Sequence, residues 1–235
     1  MEAIRGVDLH KTYGSGNTEV RALRGVSIQV DRGELVALLG PSGSGKSTLL
    51  TALGLLNLPD RGELALAGEV VVSGGRALRD LAAVRRSKLG FVFQKSNLIP
   101  FLTALENVRL GLEINDHGAA EAKRRAAELL AYLGMQDRLQ NYPEQLSGGQ
   151  QQRVAIARAL AVDPPVLLAD EPTAALDGSR SRDVIGLFRK VAHERGTAVI
   201  VVTHDHRLLD AFDTLYEMED GLLRRLPNGA EANRR

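Results

Sequence analysis

One short glycine-rich run constrains the fold more than any other feature of this chain. Residues 40–48 read GPSGSGKST and fit the phosphate-loop pattern Gly-x-x-x-x-Gly-Lys-[Ser/Thr]. The run follows a continuous apolar segment, Leu35–Leu39, and precedes an apolar-periodic stretch, Thr48–Leu58. This order predicts a buried strand, a tight loop and a helix, which is the setting that a phosphate loop requires.

The residue types in this run suit a nucleoside triphosphate with Mg²⁺. Glycines let backbone N–H groups turn toward phosphates, Lys46 supplies a point charge for the β- and γ-phosphates, and the Ser47 hydroxyl can ligate Mg²⁺. An ordinary glycine-rich turn is the alternative, but the pattern arises by chance in roughly one chain in a hundred of this length. We therefore predict ATP and Mg²⁺ as ligands. The predicted nucleotide-binding residues of the loop are Gly40, Pro41, Ser42, Gly43, Ser44, Gly45, Lys46, Ser47 and Thr48.

Two further apolar runs end in polar residues that could belong to the same site. Val166–Ala169 is followed by Asp170 and Glu171, and Ala198–Val202 is followed by a threonine and His204. Ligands of open α/β sheets bind at the carboxyl ends of the strands, so these side chains should meet at one edge. We expect Asp170 to hold Mg²⁺ and Glu171 to polarise the attacking water as a general base.

The middle of the chain has a different period. Apolar positions between Ala119 and Leu133 follow helical spacing, and Gly134 is a plausible cap. We interpret residues 96–160 as a helical subdomain inserted into an α/β core formed by residues 1–95 and 161–225. Strand-like alternation at Ile28 and Val30 marks the opening third, and residues 227–235 form a polar tail.

Composition excludes several classes of protein. The 235 residues carry a net charge of +1, which gives no bulk electrostatic argument for nucleic acid. Cysteine is absent, so disulfides, zinc thiolate sites and thiol catalysis are excluded. Apolar runs are far shorter than the ~20 residues that span a bilayer, so we expect no direct membrane insertion.

The run Leu146–Gln150 reads LSGGQ, and residues 149–160, which overlap it, read GQQQRVAIARAL. This run indicates which kind of ATPase this is. It resembles the signature of the ABC (ATP-binding cassette) ATPase family. A serine before two glycines can cap a helix, and a helix start of this kind binds anions. An ordinary serine-capped helix is the alternative. The signature residues expected to bind nucleotide are Ser147, Gly148, Gly149 and Gln150.

The other motifs of the family fall in order along nearly the whole chain. Gln94 resembles the glutamine that contacts Mg²⁺ or the attacking water, and Asp177 lies in a segment resembling the loop that faces the second subunit. His204 resembles the histidine that contacts the γ-phosphate. Tyr13 resembles the aromatic residue that stacks on adenine, although Val20 or Tyr142 could lie near the base instead.

The resemblance implies a fold, partners and a location. It implies an α/β phosphate-loop NTPase core with an N-terminal antiparallel β subdomain and the inserted helical subdomain. It also implies a homodimer with two shared ATP sites, in which each signature closes over the nucleotide of the other subunit. A separate membrane permease would complete the transporter, with this chain cytoplasmic and peripheral on the inner face of the cell membrane. Residues 95–102, read KSNLIPFL, are the expected docking segment, unless their apolar side chains pack inside the helical subdomain.

Finer sequence features favour an exporter-type subgroup. NLIPFLTALENV, residues 97–108, is similar to the macrolide-exporter and lipoprotein-release ATPases, whereas EPTAALD, residues 171–177, is closer to the DevA-type ATPases. A soluble ABC ATPase of the repair or translation type is the alternative. The repair type carries a long coiled coil and the translation type carries two cassettes, and this sequence has neither pattern. A small-molecule kinase would leave the signature unexplained.

Overall fold

The computed structural model describes residues 1–227, within which two sheets and several helices form. The strands are β1 (Glu2–Tyr13), β2 (Val20–Asp31), β3 (Leu35–Leu39), β4 (Arg61–Leu66), β5 (Glu69–Ser73), β6 (Arg76–Ala77), β7 (Leu89–Val92), β8 (Val166–Asp170), β9 (Ala198–Val202), β10 (Thr214–Glu219) and β11 (Leu222–Leu226). The α-helices are α1 (Lys46–Leu53), α2 (Leu81–Lys88), α3 (Ala104–Glu113), α4 (Ala119–Tyr132), α5 (Gly148–Ala159) and α6 (Gly178–Arg195).

A mixed sheet forms the centre of the molecule, and an antiparallel sheet packs beside it. The mixed sheet has the order β11-β10-β3-β9-β8-β7, and all of its neighbouring pairs are parallel except β10 with β11. The antiparallel sheet has the order β2-β1-β4-β5-β6. The predicted α/β fold with an N-terminal antiparallel β part is therefore confirmed.

The two faces of the mixed sheet are buried against different layers. Along β3, Val36 and Leu38 pack with α1 and the antiparallel sheet, whereas Leu35 packs with helices α3 to α6. Strands β8 and β9 alternate in the same way. Because both faces are covered, these strands are continuous apolar runs without polar alternation. Their carboxyl ends are the places where polar residues can reach solvent.

Helices α3, α4 and α5 lie between β7 and β8 in the chain, as the predicted insertion requires. Helix α3 begins with a capping box of Thr103 and Glu106, and α5 begins with one of Ser147 and Gln150. The helix predicted from Ala119 forms α4, and Gly134 follows it at φ +72°.

The division of the chain into core and helical subdomain at residues 96 and 160 stays a prediction. Apart from Pro227, the predicted tail lies outside the described residues.

The helix predicted over Thr48–Leu58 is shorter than expected and begins earlier, at Lys46. It ends in a Schellman motif, in which the N–H of Leu56 donates to the carbonyl of Thr51 and the N–H of Leu55 donates to that of Ala52. Leu55 adopts φ +58° yet is buried. The apolar pattern continued past the helix end because the turn itself packs on the core.

Among the described helices, none combines the length and the apolar content that a bilayer span needs.

Candidate nucleotide-binding site

The phosphate loop connects β3 to α1 through backbone that only glycine adopts easily. Gly40 has φ +138° and Gly45 has φ +108°. A Cβ on Gly40 would lie 2.1 Å from the Met218 carbonyl oxygen, and one on Gly45 would lie 2.4 Å from the carbonyl oxygen of Ala22. The glycines are therefore required both by the turn and by the close approach of β2 and β10.

The Lys46 side chain is held inside this loop. Its ammonium donates to the carbonyl oxygens of Gly40 (2.9 Å) and Pro41 (2.6 Å), and Lys46 as a whole is only 8% exposed. Burial lowers the pKa of Lys46, while the charges of Glu171 and Asp170 act in the opposite direction. A cation held in the loop can donate charge-assisted hydrogen bonds to phosphate oxygens.

Two adjacent carboxylates end strand β8 opposite the loop. Burial raises the pKa of Asp170, the negative charge of Glu171 raises it further, and Lys46 opposes both effects. Glu171 has φ +44°, an uncommon conformation for a residue with a side chain, and its N–H donates to the Val202 carbonyl at 3.1 Å. The two side chains are thus crowded anionic groups beside a fixed cation.

His204 follows β9 and reaches the same edge of the sheet. Its Nδ1 lies 3.4 Å from Glu171 Oε1, and its ring is largely exposed. The next residue, Asp205, caps a 3₁₀ turn and binds the Arg207 guanidinium, which lowers the pKa of Asp205 to about 2. Arg207 therefore keeps Asp205 ionised and fixes the backbone just after His204.

A cavity of about 610 Å³ joins these elements. Tyr13, Val20 and Ala22 form one wall, and Glu171 and His204 form another. Of the alternatives for the base contact, both Tyr13 and Val20 line the cavity, whereas Tyr142 is not among its lining residues. The phosphate-loop residues along the cavity are Gly40, Pro41, Ser42, Gly43, Gly45, Lys46, Ser47 and Thr48. Ser44 is buried within the loop behind them.

Gln94 lies at the same sheet edge but not in the wall of this cavity. It is the second residue after β7, where Val92 pairs with Ala169 of β8. Its backbone position is therefore level with Asp170 and Glu171.

The signature lies apart from the nucleotide cavity of its own chain. Ser147 Oγ accepts from the Gln150 N–H at 3.4 Å, and Gln150 Oε1 accepts from the Ser147 N–H at 2.9 Å. Ser147, Gly149 and Gln150 line a separate cavity of about 340 Å³. A Cβ on Gly148 would lie 3.4 Å from Leu176 Cδ2, so the signature adjoins the segment that precedes Asp177.

Asp177 caps the N-terminus of helix α6. Its carboxylate accepts from the Arg180 N–H at 3.0 Å, and this hydrogen bond lowers the pKa of Asp177. Like the signature, it is absent from the wall of the nucleotide cavity. Tyr13 and the phosphate loop are thus assembled around one cavity, whereas the signature residues and Asp177 lie outside its wall.

Three contacts of helix α5 were not predicted from the sequence. The Arg158 guanidinium donates to the carbonyls of Ser96 and Asn97, and Gln152 Nε2 donates to the carbonyl of Phe93 at 3.3 Å. The signature helix therefore holds the segment on both sides of Gln94. The run QQQRVAIAR was visible in the sequence, but its partners lie some 60 residues away and no local pattern reveals them.

Comparison with known proteins agrees with this geometry. A protein-family model described as ABC transporter matches residues 23–174. The chain belongs to the ABC transporter family. An uncharacterized ABC transporter ATP-binding protein of Thermotoga maritima is 53% identical over 92% of this chain and 91% of its own length. The ABC family fold accounts for the phosphate loop, the acidic strand end and the signature together, and the predicted ATPase identity is confirmed.

Relatives with specific names belong to the predicted subgroup. The lipoprotein-releasing system ATP-binding protein LolD of Maricaulis maris is 48% identical over 92% of this chain and 93% of its own length. The macrolide export ATP-binding/permease protein MacB of Hyphomonas neptunium is 46% identical over 91% of this ABC chain, which spans only 33% of MacB. The likeness to the DevA-type ATPases stays a prediction.

A solved structure gives the same fold in a dimer. The ATP-binding cassette MJ0796, described as a dimer in a post-hydrolysis state bound to ADP and phosphate, has a TM-score of 0.82 and 41% identity. The match covers 95% of this chain and 99% of that one. These relatives favour an ABC transporter subunit over the soluble repair or translation type.

Proposed function

We propose that this chain is the ATP-hydrolysing subunit of an ABC transporter, that two copies share two ATP sites, and that the dimer drives a permease carried on a separate chain. The observation that carries the proposal is the separation of the signature from the phosphate loop. Ser147 and the start of α5 form an anion site outside the nucleotide cavity of their own chain. A two-fold dimer brings each signature to the other subunit's phosphates with one set of contacts.

The residues around the phosphate loop fit Mg²⁺. The ion prefers oxygen ligands, and Ser47 and Asp170 offer a hydroxyl and a carboxylate. Asp170 and Glu171 repel one another, which is part of the reason that the pKa of Asp170 is raised, and a divalent cation beside them would relieve that repulsion. The Gln94 amide would add a third oxygen. Bound there, Mg²⁺ would neutralise charge on the β- and γ-phosphates.

The protein groups then take separate roles in hydrolysis. Lys46 binds the phosphates, and Glu171 polarises the attacking water as a general base. His204 contacts the γ-phosphate, and its 3.4 Å separation from Glu171 lets it orient that carboxylate. Tyr13 stacks on the base, while Asp177 and the signature residues act across the dimer.

The transport assignment rests on relatives. LolD and MacB are named for lipoprotein release and macrolide export, and MacB joins its ATP-binding part to a permease part. We assign this chain to the same export-type class, with its permease on another polypeptide and its location on the cytoplasmic face of the membrane. Co-purification of a membrane protein with the tagged chain from detergent extract supports this; purification of a fully active dimer without any membrane protein favours the soluble alternative.

Loop 95–102 is the proposed permease contact. Phe101 is 76% exposed, as a docking surface requires. Leu98 instead packs against the helical core, as the alternative of internal packing requires. The buried Asn107 fixes the loop, because its Oδ1 accepts from the Ile99 N–H and its Nδ2 donates to the carbonyls of Leu102 and Thr103. A loop fixed from beneath with an exposed aromatic side chain is suited to receive a partner helix.

Mixing two inactive variants tests the shared sites. Ser147→Arg has a sound loop and a blocked signature, and Lys46→Ala has the reverse. Each alone should be inactive, but a mixed dimer contains one sound site, so a 1:1 mixture should recover roughly a quarter of wild-type activity if exchange is random. Ser87→Arg, on an exposed face of α2, is the control for adding arginine and should remain active on its own. A mixture without activity, despite proven subunit exchange, contradicts the shared-site proposal.

A further inference from the structure

The hydroxyl of Tyr13 is hydrogen-bonded to Asn57, which lies just after α1, the helix that follows the phosphate loop. The ring lies at the end of β1, lines the nucleotide cavity and is 39% exposed. Its hydroxyl oxygen accepts a hydrogen bond of 2.5 Å from Asn57 Nδ2. Asn57 directly follows the Schellman motif at the end of α1, and its own N–H donates to the Thr51 carbonyl of that helix. The Tyr13 side chain, which we propose stacks on the base, is therefore tied to the helix that begins at Lys46.

The segment that follows α1, residues 57–60, is joined to β1 at several further points. The Asp60 carboxylate accepts from the Thr12 N–H at 2.8 Å and from the Lys11 ammonium at 2.9 Å, and the Asp60 N–H donates to the His10 carbonyl. Lys11 also donates to the Leu58 carbonyl at 2.8 Å. Residues 57–60 and the last residues of β1 thus form one hydrogen-bonded unit.

Lys11 occupies one side of the Tyr13 ring. Its Nζ lies 5.8 Å from the ring centroid, within range of a cation–π contact. The ammonium is fixed there by Asp60 and Leu58, so it limits how the ring can turn. A planar ligand ring is left with the other face of Tyr13 as its stacking surface.

We infer that Asn57 is a positioning residue for base recognition: it holds the Tyr13 ring in the orientation that a purine base stacks on, and it fixes that ring relative to the phosphate loop. The inference deepens the proposed function, because it rests on Tyr13 contacting the base. An exposed aromatic side chain loses rotamer freedom when a ligand stacks on it, and a ring that is already held avoids part of that cost. Stacking of this kind depends little on which base is bound.

The test is a double-mutant cycle read by ligand affinity. Tyr13→Phe keeps the ring and removes only the hydroxyl, and Asn57→Ala removes its donor. Each should weaken ATP binding roughly three- to tenfold, and the double variant should be no weaker than either single variant, because both remove the same hydrogen bond. GTP should follow ATP, whereas inorganic triphosphate, which has no base, should bind all variants as it binds wild type. KM for ATP should rise by the same factor while kcat stays constant.

Asn115→Ala is the matched control, since Asn115 donates to the Gly111 carbonyl within the helical part of the chain. It should not alter affinity for ATP. Additive losses in the double variant, equal weakening of inorganic triphosphate, or no loss in Asn57→Ala would each overturn the inference. Tyr13→Ala distinguishes a failure of the Asn57 inference from a failure of the proposed contact between Tyr13 and the base. Unchanged ATP affinity in Tyr13→Ala would remove the assignment of Tyr13 to the base and, with it, that part of the proposed function.

Discussion

At the scale of single residues, the end of strand β8 combines an uncommon backbone conformation at Glu171 with the adjacent charges of Asp170 and Glu171. Glu171 adopts φ +44° directly after a regular strand, and such conformations persist only where the surrounding structure holds them. Here the Glu171 N–H is bonded to β9 and the carboxylate faces His204. In the proposed function, Asp170 would serve the metal ion and Glu171 the attacking water molecule.

Glu171→Gln tests this division of roles. The amide has the same shape but cannot accept the proton of water, so hydrolysis should fall by ~10²-fold or more while ATP affinity stays within a few-fold. ATP should then hold the variant as a dimer, visible by light scattering. Single-turnover hydrolysis close to the wild-type rate would remove Glu171 from the role of general base.

The location of a site residue could be predicted from the sequence where a strand end or a short motif fixes it, whereas the roles of these residues stay predictions. Lys46, Asp170, Glu171 and His204 all belong to such places, and the structure brings their elements to one edge. The hydrogen bond from Asn57 to Tyr13 could not be predicted, because it joins positions 44 residues apart and neither residue type requires it. The conformation of Glu171 was equally hidden, since glutamate has no preference for positive φ.

At the scale of elements, helix α5 connects the signature to the loop after β7. Ser147 caps its N-terminus and Gln150 lies in its first turn, and further along it Gln152 and Arg158 bind the backbone around Gln94. A shift of the signature end of α5 would therefore be transmitted to the proposed permease loop through direct hydrogen bonds. The periodicity of the sequence predicted α1 and α4, but it placed the end of α1 too late, because the buried turn after α1 continues the apolar pattern.

Two substitutions in the permease loop should separate docking from folding. Phe101→Glu changes an exposed side chain, so it should leave the free energy of unfolding within about 0.5 kcal/mol and preserve basal ATPase activity, yet abolish transport-coupled stimulation. Leu98→Glu places a charge against the helical core and should lower the free energy of unfolding by about 2 kcal/mol or more. Denaturant unfolding and ATPase assays with the reconstituted permease measure both effects. Equal destabilisation by the two variants would show that Phe101 has a packing role instead.

At the scale of the whole molecule, the phosphate loop and the signature of one chain lie at two separate cavities. The phosphate loop, the acidic edge and the Tyr13 wall surround one cavity, and the signature and Asp177 lie outside it. In a shared-site dimer the γ-phosphate would bridge one subunit's loop and the other's signature. Its loss on hydrolysis would weaken the dimer, and that opening is the motion a permease can follow.

The order of motifs along the sequence predicted the family, and through it the dimer, but not the cargo. The cargo pathway belongs to the permease, and no residue of this chain's nucleotide cavity bears on it. The EPTAALD segment, residues 171–177, runs from Glu171 in the nucleotide cavity to Asp177, which faces the second subunit in the proposed dimer, so it does not touch the cargo either.

The dependence of specific ATPase activity on protein concentration tests the shared-site account most directly. The measurement uses the isolated chain with saturating ATP and Mg²⁺, from nanomolar to micromolar protein, with Lys46→Ala as the background control. Because a monomer contains no complete site, specific activity should rise with concentration and level off only when the dimer is saturated. Specific activity that stays constant down to nanomolar protein, in a chain shown to be monomeric there, would contradict the account.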